Sequence, residues 1–444
     1  MKTHLRKLFD SLRSNYWFMP FAMMLVSIVV WLGTSTIDSI LTYKDKAAIS
    51  WLYVDTIDSM RTLLLTIEGT IIGIVGVVFS IMMVPLTIAA SQFGPRLLRT
   101  FLRDKGTQMT LGTFTSTFIF CMLVLLQLRG VHDRHLPQIS ATFGLMLGIC
   151  SFGVLIFFIN HVAISIQVSV LVTKVSKELH TAIEHDLPDR VDGAMTSNAI
   201  EDNLISFDAT KPGKVVNAVT SGYLQARDDE GLLRFAKKHN LVLQLVIQPG
   251  EFVIQGTSIA IVWPAELTLD KVDIVINEAF IFGAQRTLIQ DITFGLNELA
   301  EVAVRALSPA INDPFTAMTC IDWLGSALCE ICKRTPPKAV LFDDTGTCRI
   351  IRSPATFVDF ADAAFSLIRE YSYNSKAVTL RLMATIAAVI PFAKTGEQLK
   401  VLLRHAALIE HGCSTGLPQQ ADREEVKAAF QKILAMPVVA ALQK

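Results

Sequence analysis

Charged and amide side chains between Ile276 and Gly325 have types and spacings that could form a binding site. Free amides at a helix start collect anions, and the carboxylates of Asp313 and Asp322 could hold a cation. The segment Ser308 to Pro314 also predicts a turn that ends one helix and caps the next. We favour this capping role over a ligand site. The candidate residues of this cytosolic site are Arg286, Asp291, Arg305, Asn312, Asp313 and Asp322.

Polar side chains inside apolar stretches are a second group of candidates, because such groups are unfavourable in lipid unless they are paired or hydrated. A hydroxyl face could line a narrow aqueous path, whereas threonines that bond their own backbone would only accompany helix packing. Packing is the interpretation that we favour for the threonines, and for Glu68 a functional role and a position near the outer interface are equally open. The pore or membrane candidates are Glu68, Thr110, Thr113, Thr117, Asn160 and His161.

The elements that must position these residues are apolar runs long enough to be membrane spans. About 20 helical residues cross a hydrocarbon core of roughly 30 Å. The sequence therefore predicts an α-helical polytopic membrane domain over residues 1–172. Its four transmembrane helices are expected within Trp17–Ser35, Thr62–Ala90, Met109–Leu128 and Ile139–Val172.

Small residues recur on two of these runs at helical spacing. Helices in lipid associate through close packing, which glycine permits. We therefore expect these helices to approach closely, within one subunit or between two. The helix-packing glycines are Gly69, Gly73, Gly76, Gly144 and Gly148.

Basic residues predict the orientation of the chain. They are concentrated before the first run and after the second, so both termini are expected in the cytoplasm of a bacterium, with the spans in the inner (plasma) membrane. Arg96, Arg99 and Arg103 share one face of a short amphipathic helix. Anionic membrane lipid is the expected partner of this helix. Alternatively, these arginines surround a vestibule in an oligomer and attract anions.

A cytosolic α+β domain is expected after the spans. Residues 173–213 predict a helical linker, and residues 214–270 predict a small α/β or barrel-like module because short strand patterns alternate with turn residues. Residues 271–444 predict a mainly helical domain with one hairpin at Asp343-Asp344.

Composition limits the functional classes. The 444 residues are 51% hydrophobic and 18% charged, with 40 basic and 40 acidic residues, so no overall charge indicates nucleic acid. Seven scattered cysteines do not form a disulfide framework. The sequence contains no nucleophile elbow, Walker loop, HExxH motif or dinucleotide fingerprint, so we predict neither an enzyme nor a bound metal or cofactor.

Three motifs together resemble a known family. They are SQFGPRLLRTFLRD (Ser91 to Asp104), GAQRTLIQD (Gly283 to Asp291) and RALSPAINDPFTAMTCID (Arg305 to Asp322). This combination is similar to a family of predicted bacterial membrane proteins known only as a domain of unknown function. The resemblance covers nearly the whole chain and implies a membrane protein without implying an activity.

Two hypotheses follow from these features. The first is an oligomeric inner-membrane ion channel or pore whose cytosolic domain acts as gate or sensor. The second is a membrane-anchored signalling or scaffold protein whose cytosolic module binds a ligand or partner. A homo-oligomer and bound ions are expected under the first hypothesis.

Overall fold

The computed structural model describes residues 17–40, 56–88, 104–130, 136–165, 167–188, 212–265 and 271–442. The chain divides into two compact units, Met1–Val170 and Leu171–Lys444. Each unit has its own buried apolar clusters.

Long apolar helices form the described part of the first unit, as the apolar runs predict. The helix over Lys105–Gln127 is preceded by Asp104, whose carboxylate caps it, and is followed by a 3₁₀ turn over Leu128–Gly130. The four helices are α1 (Phe18–Ile40), α2 (Ile57–Ile88), α3 (Lys105–Gln127) and α4 (Gln138–Ser165).

These helices pack around aromatic and aliphatic side chains. Phe114, Phe120 and Phe158 are fully buried between α2, α3 and α4. The helices α1 and α3 also approach closely, because Gly112 presents no side chain to Pro20. The hydroxyl of Ser27 on α1 donates to the backbone oxygen of Ser116 on α3 at 2.8 Å.

Five described helices are long and apolar enough to cross a membrane. Four are α1 to α4, and the fifth is Pro314–Lys333 of the second unit. In this fifth helix, half of the residues in the most apolar 18-residue stretch are buried. The prediction of several apolar spans is therefore confirmed. Length and composition do not decide how many of the five helices cross the membrane, so the count of four transmembrane helices stays a prediction.

The amphipathic helix α5 (Val168–Asp186) lies mostly in the second unit, and its Leu179 packs against Gly295. Short strands and two helices follow. They are β1 (Lys214–Asn217), β2 (Gly222–Arg227), α6 (Asp229–Lys238), β3 (Val242–Leu245), β4 (Phe252–Val253), β5 (Ser258–Trp263), α7 (Val272–Ala279) and β6 (Phe280–Gly283).

The remainder of the second unit is mainly helical and contains the predicted hairpin. Its longer helices pack against the next helix along the chain or against the next but one. The elements are α8 (Ile292–Ala306), α9 (Pro314–Lys333), β7 (Val340–Phe342), β8 (Cys348–Arg352), α10 (Phe357–Ser372), α11 (Lys376–Val389), α12 (Gly396–Gly416), α13 (Gln420–Leu434) and α14 (Pro437–Leu442).

Two sheets organise the strands. The larger has the order β1-β5-β3-β8-β7, and the smaller has the order β4-β2-β6. All pairs are antiparallel except β3 and β8, which are parallel with Leu243 opposite Ile350. The larger sheet thus joins strands from both sides of residue 270, since the Asp343 hairpin extends the sheet that the earlier strands begin.

Candidate functional site

The corner between α8 and α9 is held by its own polar groups. The Asp313 carboxylate accepts hydrogen bonds from the amides of Phe315 and Thr316, both at 3.1 Å, and Pro314 occupies the first turn of α9. Asn312 has a φ of 49°, a left-handed conformation that asparagine tolerates well. These contacts are the capping arrangement that the sequence favours for this corner.

The other charged candidates near this corner have separate partners. Arg305 contacts Glu301 at 3.2 Å within α8, and Asp322 lies 3.6 Å from Arg381 of α11. In the parts of the chain that the structure describes, no group of three or more His, Cys, Asp or Glu side chains could hold a metal ion.

Arg286 and Asp291 form a two-point ion pair at the start of α8. The guanidinium donates from Nε to Oδ2 and from Nη2 to Oδ1 of Asp291, both at 2.9 Å. Thr293 bridges the pair, and the Phe294 amide donates to the same carboxylate at 3.1 Å. The side chain of Asp291 is only 2% exposed, so its charge is balanced inside the fold.

A glycine makes room for this ion pair. Gly250 has a φ of 95°, and a Cβ added there would lie 2.3 Å from Oδ2 of Asp291. The turn between β3 and β4 therefore closes over the carboxylate only because residue 250 lacks a side chain.

Sequence reasoning missed a neighbouring polar network around Arg227. Its guanidinium donates to Asp229 at 2.5 Å and to the backbone oxygen of Ile247 at 2.9 Å, and Arg352 of β8 also contacts Asp229. The side-chain amide of Gln290 bonds both backbone groups of Arg227. Gln290 of the motif thus joins the segment before α8 to β2, a role that only its long-range partner makes visible.

The threonine candidates of α3 bond to their own helix. Thr110, Thr113 and Thr117 donate to the backbone oxygens of Gly106, Met109 and Thr113 at 2.8 to 2.9 Å. Thr110 and Thr117 are buried, and the Thr117 hydroxyl also lies 3.0 Å from that of Ser151 on α4.

Glu68 lies on α2 among apolar neighbours. Its Oε1 is buried and has no hydrogen-bond partner among the described residues. A carboxylate oxygen without a donor is unfavourable in an apolar environment, and this makes Glu68 an unsatisfied polar group of the bundle.

The two groups of glycines have different surroundings. An added Cβ at Gly144 or Gly148 would lie 3.3 Å from Leu64 or Ile67 of α2, so these glycines serve packing within one chain. At Gly69, Gly73 and Gly76 an added Cβ would meet none of the described atoms within 4 Å.

His161 has a partner that the sequence reasoning did not assign. Its Nε2 lies 2.6 Å from Oδ2 of Asp104, and its ring stacks on Phe157 at 5.5 Å, while Asn160 is exposed. The Asp104 carboxylate also accepts hydrogen bonds from the amide and hydroxyl of Thr107. Burial alone would raise the pKa of Asp104, but the hydrogen bonds and the nearby imidazole more than offset it, so this pKa lies below its usual value.

Asp38 provides a second link between helices. From the end of α1 its carboxylate accepts hydrogen bonds from the amides of Ile139 and Ser140 at 3.1 and 3.0 Å, and from the Ser140 hydroxyl at 2.7 Å. It therefore caps α4 from a different helix. Arg96, Arg99 and Arg103 lie outside the described residues.

Several helices that are long and apolar enough to cross a membrane, followed by a unit with two sheets, are typical of a multi-pass membrane protein. The chain belongs to the family described as "predicted membrane protein (DUF2254)", which matches residues 13–388. This confirms the family resemblance of the three motifs.

Three similar proteins come from mycobacteria. The uncharacterised proteins MT1328 and Rv1290c of Mycobacterium tuberculosis and Mb1321c of Mycobacterium bovis are each 27% identical to this chain over 434 residues. The match covers 96% of this chain and 81% of each relative. No solved structure matches the chain.

Proposed function

We propose that this protein is an oligomeric ion channel of the bacterial inner membrane, with four spans per subunit, both termini and the second unit in the cytoplasm, and α2 lining the ion path. The helix α9 would then belong to the cytoplasmic unit, consistent with its contacts to α8 and α11. Under this proposal the second unit acts as the gate of the ion path or as its sensor.

The observation that carries the proposal is an exposed face of α2, here called the α2 small-residue face. Residues three and four apart share one side of a helix, so these side chains form a continuous stripe. The face consists of Thr66, Gly69, Thr70, Gly73, Gly76 and Ser80, all exposed in the single chain.

Hydroxyl oxygens on the α2 small-residue face can contact ions and their hydration water. The hydroxyls of Thr66, Thr70 and Ser80 each donate to a backbone oxygen of α2 at 2.7 to 3.0 Å. Each oxygen keeps lone pairs that can accept from water or contact a cation. The α3 threonines are less suitable, because Thr110 and Thr117 are buried inside the subunit.

A path would have to lie between subunits. The interior of the single bundle is filled by Phe114, Phe120 and Phe158, each 0% exposed. Glycines on the α2 small-residue face would let copies of α2 approach closely around an axis. Arg96, Arg99 and Arg103, expected at the inner surface, would bind anionic lipid or attract anions to the entrance.

Liposomes containing the purified protein provide the test. Potassium, sodium and chloride flux would be measured before and after a cationic thiol reagent is added, in a Cys150→Ala background because Cys150 is exposed on α4. We expect the reagent to reduce flux through Thr70→Cys and Ser80→Cys proteins. The matched controls Ile72→Cys and Phe79→Cys, exposed on another side of α2, should keep their flux.

Two outcomes would contradict the proposal. Flux that responds equally in all four cysteine variants would overturn the assignment of the ion path to α2, and the absence of flux in liposomes with correctly assembled protein would overturn the channel itself. Without flux, the second candidate, a membrane-anchored signalling or scaffold protein, would be favoured. It is supported by the second unit, which has an α/β core of its own.

A further inference from the structure

A cleft of about 200 Å³ opens where α10, α11 and α12 meet in the second unit. Its floor is formed by Ser372, Thr379, Ile409 and Cys413, which are all buried. Arg369, at its rim, brings a positive charge to the opening. The cleft thus combines an apolar and hydroxyl-bearing floor with the cationic Arg369, and Glu370, whose side chain is 58% exposed, is the acidic residue of its lining.

The Arg369 guanidinium has unused hydrogen-bonding capacity. Its Nε is buried and has no hydrogen-bond partner among the described residues. Its Nη2 lies 3.8 Å from Oε1 of Glu370, which is beyond hydrogen-bond distance, and the Glu370 side chain is 58% exposed. A buried donor without an acceptor is unfavourable, so the edge formed by Nε and Nη2 favours an incoming oxygen pair.

Interhelical hydrogen bonds hold the cleft in shape. The Thr379 hydroxyl of α11 donates to the backbone oxygen of Ser372 at 3.0 Å, and the Cys413 thiol of α12 donates to that hydroxyl at 3.4 Å. Tyr373 packs against Gly416, where an added Cβ would lie 2.3 Å from its ring. Because these contacts join all three helices, a ligand would enter a cleft that already exists.

We propose that this cleft binds a small oxyanion, a compact molecule with a carboxylate or phosphate group, through the Nε and Nη2 edge of Arg369. Guanidinium groups bind such groups with two parallel hydrogen bonds, because the spacing of the donors matches that of two oxygens. The volume is below that of most drug-sized pockets, so the ligand is small. The site goes beyond the proposed channel, because it requires no ion path.

Thermal unfolding of the full-length protein in detergent tests this site. Unfolding midpoints would be measured with inorganic phosphate, acetate or acetamide at constant ionic strength. Acetamide has nearly the shape of acetate without its charge. We expect a saturable rise with phosphate or acetate and none with acetamide. A response to phosphate alone would identify a phosphate group as the ligand, and a response to acetate alone would identify a carboxylate.

Variants connect the response to the cleft. Arg369→Gln should need at least tenfold more anion, whereas Arg234→Gln should respond like the parent chain because its guanidinium is 71% exposed on α6. Gly412→Ala should fold, since its new Cβ would meet Tyr373 at 3.9 Å, and should weaken the response by narrowing the cleft. An equal rise with acetamide, no saturable rise with either anion, or an unchanged response in both Arg369→Gln and Gly412→Ala would overturn the proposal.

Discussion

The imidazole Nε2 of His161 lies 2.6 Å from Oδ2 of Asp104, which joins the end of α4 to the start of α3. The same carboxylate caps α3 through Thr107, so one side chain closes a helix and holds its neighbour. Gly106 leaves the space for the imidazole, because a Cβ there would lie 2.5 Å from Nε2. Asp104 is also the last residue of the motif SQFGPRLLRTFLRD, so this one residue of the motif has a structural role.

Substitution of Asp104 should separate its two roles. Asp104→Asn keeps a good helix cap and loses the charge opposite His161, whereas Asp104→Ala loses both. We expect Asp104→Ala to lower the free energy of unfolding by about 2 kcal/mol and Asp104→Asn by about 1 kcal/mol. Thermal unfolding in detergent provides the measurement.

A double-mutant cycle tests the contact itself. Asp104→Ala and His161→Ala should be less than additive, with a coupling of about 1 kcal/mol. Strict additivity would mean that the two side chains do not interact in the folded protein.

Asp38 should be more important than its position at the end of α1 suggests. Asp38→Ala removes the acceptor for the amides of Ile139 and Ser140, and leaves both donors of α4 unsatisfied. We expect a loss of about 2 to 3 kcal/mol in unfolding free energy, measured by thermal or chemical unfolding. The control Asp58→Ala, at a side chain that is 93% exposed, should change it by less than about 0.5 kcal/mol. Similar losses of unfolding free energy in both variants would mean that the hydrogen bonds of Asp38 to α4 add no stability beyond that of an exposed carboxylate.

Local features of the fold were predictable from the sequence. Asp313 and Pro314 mark the start of α9 because capping depends on residues within one turn. The hairpin around Asp343 follows from turn residues between two short apolar runs, and there the Asp343 carboxylate accepts from the amides of Thr345 and Thr347. Each of these structures is determined by neighbours in the sequence.

Pairings between distant residues were not predictable. Asp38 caps a helix about a hundred residues later, and Asp104 meets His161 across two helices. Neither pairing leaves a periodic or spacing signal in one sequence. The parallel pairing of β3 with β8 is also invisible, since the strands show only their own apolar pattern. The Arg369 cleft depends on three helices and has no motif.

Breaking the Arg286–Asp291 pair should strongly destabilise the second unit. Asp291→Ala leaves the Arg286 guanidinium without its two-point partner and removes the cap of α8. We expect a loss of about 3 to 5 kcal/mol in chemical unfolding. Glu301→Ala breaks the more exposed pair with Arg305 and should lose about 0.5 kcal/mol. Equal losses of unfolding free energy in the two variants would mean that the buried pair stabilises the fold no more than the exposed pair does.

Gly250 should tolerate substitution less well than another glycine with similar backbone. Gly250→Ala combines an unfavourable φ of 95° with an overlap against Asp291, and we expect a loss of about 3 kcal/mol. Gly346→Ala has a φ of 79° but open space around its new Cβ, so the loss should be about 1 kcal/mol. The difference in unfolding free energy measures the overlap with Asp291, and no difference would mean that the turn moves away from the carboxylate.

His405 should make stability depend on pH. The residue is 1% exposed, and its Nε2 lies 2.9 Å from Oδ1 of Asp362. Burial lowers the pKa of His405 to about 4 from its ordinary 6.5, although the Asp362 charge opposes this and the charges of Arg404 and Arg369 assist it. The folded chain therefore binds fewer protons at this position than the unfolded chain does.

Acidification should consequently favour unfolding. The contribution of neutral His405 is complete above about pH 6.5 and is lost as the pH falls towards 4, which amounts to about 3 kcal/mol over that range. His405→Gln should reduce the slope of unfolding free energy against pH between 6.5 and 4. His411→Gln is the matched control, because His411 is exposed on the same helix and should leave the slope unchanged. Identical slopes in the parent chain and His405→Gln would show that His405 binds a proton equally well in the folded and unfolded states.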